Sequence, residues 1–175
     1  RNKRVAYDIC PVNIALNYMS RKSGFEFDQD GKTGKKGILI EPLLKKLNNL
    51  AYYNFPPPKS LKREWFENEF VPCLLEYENV ADVLRTLYEH MSDQIASQPG
   101  NGIRGRMLVT GGGAKNKFLV SLLSEKCMNE IVVPDESLID YKEAMIFGFL
   151  GLLRYMDKTN CYGSVTGAKR NSSSG

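Results

Sequence analysis

The sequence predicts an α/β domain. Two apolar runs of strand length, Met107-Leu108-Val109 and Ile131-Val132-Val133, alternate with stretches of helical periodicity. Three glycines, Gly111-Gly112-Gly113, join the first run to the helix that follows it. Strands alternating with helices are the sequence pattern of layered α/β units. The 175 residues suffice for one domain with a sizeable core, and 42% hydrophobic with 25% charged residues excludes disordered, collagen-like and coiled-coil chains.

Residues 4–9 (RVAYDI) read as a short strand ending in Asp8. Cys10-Pro11 is turn-like, and Pro11 sits where a helix start tolerates it, ahead of a helix from Val12 to near Gly24. Residues 24–37 read as a loop, with Gly24, Gly31, Gly34 and Gly37 among Asp28, Asp30 and several lysines. Asp28-x-Asp30-Gly31 resembles the opening of a calcium loop, but the twelfth position is Leu39 rather than Glu, so calcium is not expected. A helix follows over 40–50. Pro56-Pro57-Pro58 lacks three backbone donors and reads as a stiff linker, after which Ser60 is placed to cap a helix carrying Glu64 and Trp65.

Over 79–96, Val80, Val83, Leu84, Leu87, Met91 and Ile95 recur at the 3–4 spacing of one buried helical face, and His90 beside them is expected at the surface or its boundary. Gln98-Pro99-Gly100-Asn101-Gly102 breaks the chain before the Met107–Val109 run, which is expected to be a buried strand. A helix from about Ala114 puts Phe118, Leu119, Leu122 and Leu123 on one face, and Ile131–Val133 is a second strand closed by Pro134. From Ile139 to Met156 the pattern is apolar nearly all round, which predicts a helix buried on most sides. Residues 171–175 form a polar tail with nothing to bury.

The net charge of +4 comes from scattered lysines and arginines without interleaved aromatics, so no nucleic-acid partner is expected. Cys10, Cys73, Cys127 and Cys161 lie far apart and His90 is the single histidine, which fits neither a common zinc pattern nor a disulfide framework. Free thiols point to a reducing cytoplasm. No apolar run approaches the ~18 residues of a membrane span, so no membrane is expected as partner.

Two segments carry chemistry. In Thr110-Gly111-Gly112-Gly113-Ala114-x-Asn116, glycines between strand and helix offer bare backbone and amide N–H groups to a nucleotide. Asn116 is placed to meet ribose or base. The same glycines equally suit a tight connection that only needs unusual φ/ψ. The segment is neither a Walker loop, since no Gly-Lys-Ser/Thr follows, nor a dinucleotide fingerprint, since position 116 is Asn. The other segment is Asp8, a carboxylate at a strand C-terminus, where α/β sheets gather ligands and where an acid can serve as a base; a turn or N-cap role before Pro11 is the alternative.

In order along the chain stand Tyr7-Asp8-Ile9-Cys10-Pro11-Val12-Asn13, Phe27-Asp28-Gln29-Asp30-Gly31, Pro57-Pro58-Lys59-Ser60, Thr110-Gly111-Gly112-Gly113-Ala114-Lys115-Asn116, Lys142-Glu143-Ala144-Met145 and Val165-Thr166-Gly167-Ala168. Together, over roughly residues 4–170, they resemble the successive motifs of the C-terminal half of anhydro-N-acetylmuramic acid kinases, members of the sugar kinase, Hsp70 and actin superfamily. The resemblance implies one ribonuclease-H-like (actin-like ATPase) lobe over residues 1–170, a mixed sheet flanked by helices, which closes with an N-terminal lobe on ATP, Mg²⁺ and an amino sugar. It gives Asp8 the place of the aspartate that deprotonates the water attacking the anomeric carbon while the sugar O6 takes the γ-phosphoryl group. Gly111, Gly112, Gly113 and Asn116 match the adenosine motif, and Asn13 and Glu143 the sugar side. Helix N-terminal charge compensation is the other role open to Glu143. Mg²⁺ is implied to be held mainly by the other lobe and the phosphates. A homodimer stays open.

Two departures stand out. Cys10 and Val12 replace glycines common in the family segment, and the family's N-terminal phosphate loop is missing. The chain has no initiator Met and opens on the strand-like run, so a piece of a longer polypeptide, inactive by itself, is expected. The competing class is a non-enzymatic actin- or Hsp70-like ATP-binding module acting on protein partners, in which Asp8, Glu143 and the 24–37 loop would have no purpose. A degenerate lobe kept for dimerisation is the third.

Overall fold

A side chain at the start of the strict 3–4 repeat decides where the central helix begins. In the computed structural model, which describes residues 4–98 and 105–174, Asn79 accepts hydrogen bonds from the Ala81 and Asp82 amides (3.0 and 3.2 Å) and opens α6, Val80–Ala96. Val83, Leu84, Leu87, Tyr88 and Met91 on one face are fully buried. The described residues fall into two units, and α6 is the axis of the larger, residues 9–54 with 61–134.

Around α6 pack α1 (Asn13–Lys22), α2 (Lys32–Lys36), α3 (Glu41–Asn48) and α7 (Lys117–Lys126). α2 lies flat on α6 because it has glycine on the contact side: a Cβ at Gly34 would stand 2.5 Å from the Tyr88 ring, and one at Gly37 2.0 Å from the Ala81 carbonyl. The predicted 24–37 loop is thus partly helical, with a 3-10 turn at Gln29–Gly31 leading into α2. α1 contributes Ala15, Leu16 and Met19 to the core, and α3 contributes Leu43 and Leu47.

The helix expected after the prolines begins at Arg63, as α4 (Arg63–Trp65), widens to a π-turn over Phe66–Phe70 and ends as α5 (Val71–Leu74). Pro72 cannot donate back along the helix, which accounts for the widened turn before it. Ser60 is not the cap: its hydroxyl donates to Asp8 instead (3.1 Å). His90 is also not at the surface. It is fully buried among Tyr53, Phe70 and Asn48 because it projects from the face of α6 that meets α3 and the 3-10 turn Ala51–Asn54.

The sheet among the described residues is one parallel pair, β1 (Arg106–Leu108) with β2 (Glu130–Val132), in register Met107↔Ile131, with α7 as the crossover. The chain is therefore helix-rich α/β with a small parallel sheet. Both strands sit one residue earlier than expected, and β1 is not buried: Leu108 is 59% exposed. Residues 99–104, most of the predicted break, lie outside the described residues.

Among the described residues the smaller unit comprises residues 4–8, 55–60 and 135–174. Residues 4–9 form no strand. The Asp8 amide donates to the Lys59 carbonyl (3.1 Å), but Pro56, Pro57 and Pro58 have no N–H with which to continue a ladder. α8 (Glu136–Tyr155) is capped by Asp135, whose side chain accepts from the Leu138 amide (2.8 Å). Its expected burial is not found: Tyr141, Met145, Phe147, Phe149, Leu152 and Tyr155 are all exposed. A four-residue α9 (Gly163–Thr166) follows. The polar tail is engaged, since Ser172 bridges antiparallel to Cys161 and the Ser174 amide donates to Asn160 (2.8 Å).

Candidate functional site

The chain leaves the sheet just after Val109, whose amide still donates to the Val132 carbonyl (2.9 Å). Gly111 then adopts φ +80°, ψ −172°, a region that only glycine occupies without strain. Gly112–Lys115 form a 3-10 turn, with the Ala114 amide donating to the Gly111 carbonyl (3.0 Å) and the Asn116 amide to the Gly113 carbonyl (3.1 Å). The three glycines answer to different causes. Gly111 is set by conformation. At Gly112 a Cβ would lie 3.0 Å from Asn13 Nδ2, whereas at Gly113 it would meet nothing nearer than 3.8 Å. The fold itself gives no reason for glycine at 113.

Two hollows adjoin this turn and share Asn13 and Gly112. One, of about 350 Å³, is lined by Val109, Thr110, Gly111, Gly113, Leu119 and Leu123 among others. The other, of about 410 Å³, is lined by Asn17, Phe27, Asp28, Asp30, Lys115 and Asn116 among others. Both are within the usual size of small-molecule sites. Thr110 Oγ1 is buried with no hydrogen-bond partner, an uncommon state for a hydroxyl and one that a ligand can relieve.

Asn116 is the N-cap of α7. Its Oδ1 accepts from the Leu119 amide (3.0 Å), and its Nδ2 donates to the Tyr88 hydroxyl (2.7 Å). Tyr88, fully buried on α6, donates in turn to Asp28 Oδ2 (3.1 Å). Burial pushes the Tyr88 phenol above its ordinary pKa, so its proton stays in place. The buried Asp28 carboxylate also accepts from the Thr33 and Gly34 amides (2.8 and 2.9 Å), the second and third residues of α2. Sequence reading assigned no role to Asp28 or Tyr88. The available signal is an acid just ahead of a helix start, the arrangement that satisfies a helix's first free amides; in the sequence the segment reads as a calcium-loop opening that lacks its twelfth ligand and as one of the family-like motifs.

Asn13, at the first residue of α1, is exposed beside Gly112, so the larger unit brings together Asn13, Gly111, Gly112, Gly113 and Asn116. Asp8 and Glu143 belong to the smaller unit. Asp8 is exposed and accepts from Ser60 Oγ. Glu143 is exposed at the eighth residue of α8, too far along for charge compensation at the N-terminus, which Asp135 and Glu136 occupy. Burial pushes the Cys10 thiol up to about 12, which favours its neutral form. Among the described residues no three His, Cys, Asp or Glu side chains gather to hold a metal, and no helix is long and apolar enough to cross a membrane.

Residues 1–175 match the sequence model of a family described as anhydro-N-acetylmuramic acid kinase. Among curated proteins of that name, the one from Sulfurovum sp. (strain NBC37-1) is 31% identical over 95% of this chain and 48% of its own length. That from Nitrosospira multiformis is 32% identical over 93% and 46%, and that from Vibrio parahaemolyticus 33% identical over 97% and 48%. The chain thus spans about half the length of the curated relatives it matches. With the match running through the glycine turn, Asn116 and the segment around Asp8, the chain belongs to the anhydro-N-acetylmuramic acid kinase family.

Proposed function

We propose that the chain is the C-terminal lobe, ribonuclease-H-like in type, of an ATP-dependent kinase that opens the ring of anhydro-N-acetylmuramic acid and phosphorylates the sugar at O6, a cytoplasmic step of cell-wall recycling. The observation that carries the reading is the glycine turn. Gly113 has a bare Cα that the packing does not require, and beside it Thr110 holds an unpartnered buried hydroxyl. Both fit the adenosine and phosphate oxygens of a nucleotide, which is what a kinase must hold. ATP supplies the γ-phosphoryl group when bound. Mg²⁺ is carried by the phosphates and by the other lobe.

In this reading Asp8 takes the proton of the water that attacks the anomeric carbon. Ser60 donates to one of its oxygens, which orients the carboxylate. Asn13 and Glu143 hold the sugar. The N-terminal lobe is the partner, and the exposed apolar side chains of α8 are the surface it covers. A non-enzymatic ATP-binding module acting on proteins is the weaker reading, because the relatives are named kinases.

The test is Asp8→Asn in the full-length kinase, assayed for phosphorylated sugar with ATP, Mg²⁺ and the anhydro sugar. Turnover is expected to fall by roughly 10²–10⁴-fold, with ADP affinity within about twofold of the parent, because the base is lost and the cradle is not. Near-normal turnover would remove Asp8 from the chemistry. A parent protein whose melting responds to neither nucleotide nor sugar would remove the kinase reading altogether.

A further inference from the structure

Three segments distant in sequence meet at one buried hydroxyl. The Asp28 carboxylate oxygens accept hydrogen bonds from the Thr33 and Gly34 amides and from the Tyr88 hydroxyl. With its hydrogen pointed at Asp28, the Tyr88 oxygen can only accept, so Asn116 must present Nδ2 to it. That fixes the Asn116 amide: Oδ1 faces the Leu119 amide and caps α7. The hydrogen bonds therefore run in one direction, from Asn116 through Tyr88 into Asp28.

This relay connects the two walls of the 410 Å³ hollow. Phe27, Asp28 and Asp30 line one wall, and Gly112, Lys115 and Asn116 the other. Next to it the walls are pressed together at Gly31 (φ +71°), where a Cβ would stand 2.4 Å from Phe118 Cβ and 2.8 Å from Asn116 Oδ1. Backbone contact thus sets the approach at one point and the relay sets it at the next.

Building on the nucleotide reading of the glycine turn, we infer that the Asn116–Tyr88–Asp28 relay fixes the width of this hollow and so positions the nucleoside end of the bound nucleotide. Tyr88 is a positioning residue: it lines neither hollow and acts through Asn116 and Asp28. Removing its hydroxyl leaves Asp28 Oδ2 with the Gly34 amide alone and leaves Asn116 Nδ2 with only a long bond to the Asp28 carbonyl (3.5 Å), so the two walls lose the shorter of the bonds that tie them together.

The experiment compares Tyr88→Phe and Asp28→Asn with the parent in the full-length protein, by calorimetric titration with ADP and by steady-state kinetics. Tyr88→Phe keeps the ring that packs against Gly34 and is expected to raise both the ADP Kd and the KM for ATP roughly tenfold, with kcat within about twofold. Asp28→Asn, the second handle if the first fails to fold, puts an NH2 group in place of one of the two oxygens that meet the Thr33, Gly34 and Tyr88 donors, and is expected to raise the ADP Kd and the KM for ATP in the same direction. The double variant should fall short of the sum of the two single ones, because both act on one cluster of bonds. If the folded variants bind ADP within twofold of a parent that itself binds, the relay has no positioning role and the inference fails while the nucleotide reading stands. If the parent has no affinity for ADP, the nucleotide reading fails and takes the inference with it.

Discussion

Gly111 and Gly113 stand two residues apart in one turn, yet alanine should affect them in opposite ways. Gly111→Ala forces a Cβ into φ +80°, ψ −172° and is expected to destabilise the chain by about 1–3 kcal/mol in urea unfolding. Gly113→Ala has room for its methyl, with nothing nearer than 3.8 Å, and should leave stability unchanged within about 0.5 kcal/mol. If Gly113 is bare so that a nucleotide can approach, the same Gly113→Ala should weaken ADP binding by at least about tenfold in a titration, a separation of stability from affinity that a purely structural glycine would not give. Thr110→Val should behave likewise: losing an unpartnered buried hydroxyl costs the fold nothing and costs the ligand a contact. The glycine turn was legible in sequence because strand, glycines and helix are contiguous. The Asp28–Tyr88–Asn116 relay was not, because its members lie 60 and 28 residues apart, and sequence periodicity records which face a residue is on without recording its partner.

α6 was the most legible element, since a helix packed along one side has its apolar residues in strict 3–4 order. The same pattern misplaces His90 at the surface. His90 lies beside the stripe in sequence but is enclosed by α3 and the 51–54 turn, whose approach the pattern on α6 does not encode. The Asn48 Oδ1 can only accept, from Gln94 Nε2 as well as from His90, so His90 carries its proton on Nδ1 and accepts a hydrogen bond from the Tyr53 hydroxyl at Nε2. Burial lowers its pKa to about 3. The unfolded chain, with His90 near 6.5, therefore binds more protons between those values. The stabilisation is fully present above pH 6.5 and drains away as pH falls toward 3, by about 1.4 kcal/mol per pH unit at most from this group. Urea midpoints at pH 7 and pH 5 should differ accordingly, and His90→Gln should flatten that slope at the expense of stability at pH 7. An equal slope in the variant would assign the pH dependence to other groups. The strand expected over residues 4–9 does not form: an apolar run suggests a strand, but a strand also needs a neighbour with free N–H groups, and the prolines at 56–58 have none.

At the scale of the whole molecule, the contradiction between pattern and exposure on α8 is the most informative feature. A helix apolar nearly all round reads as a core helix, yet Phe147 and Tyr155 are 70% and 88% exposed. Under the proposed two-lobe kinase the pattern was written for a surface that the other lobe covers, and this has a measurable consequence. In the 175-residue chain, Phe147→Ser with Phe149→Ser should leave the unfolding midpoint nearly unchanged, because those side chains bury little there, and should reduce binding of an anilinonaphthalene sulfonate dye. In the full-length kinase the same pair should lower stability by about 2–5 kcal/mol, the usual cost of emptying a packed apolar site, and the parent should bind little dye. The two backgrounds must respond differently. Equal destabilisation in both would mean that α8 packs within this chain's own core, and equal indifference in both would mean that the other lobe leaves α8 bare.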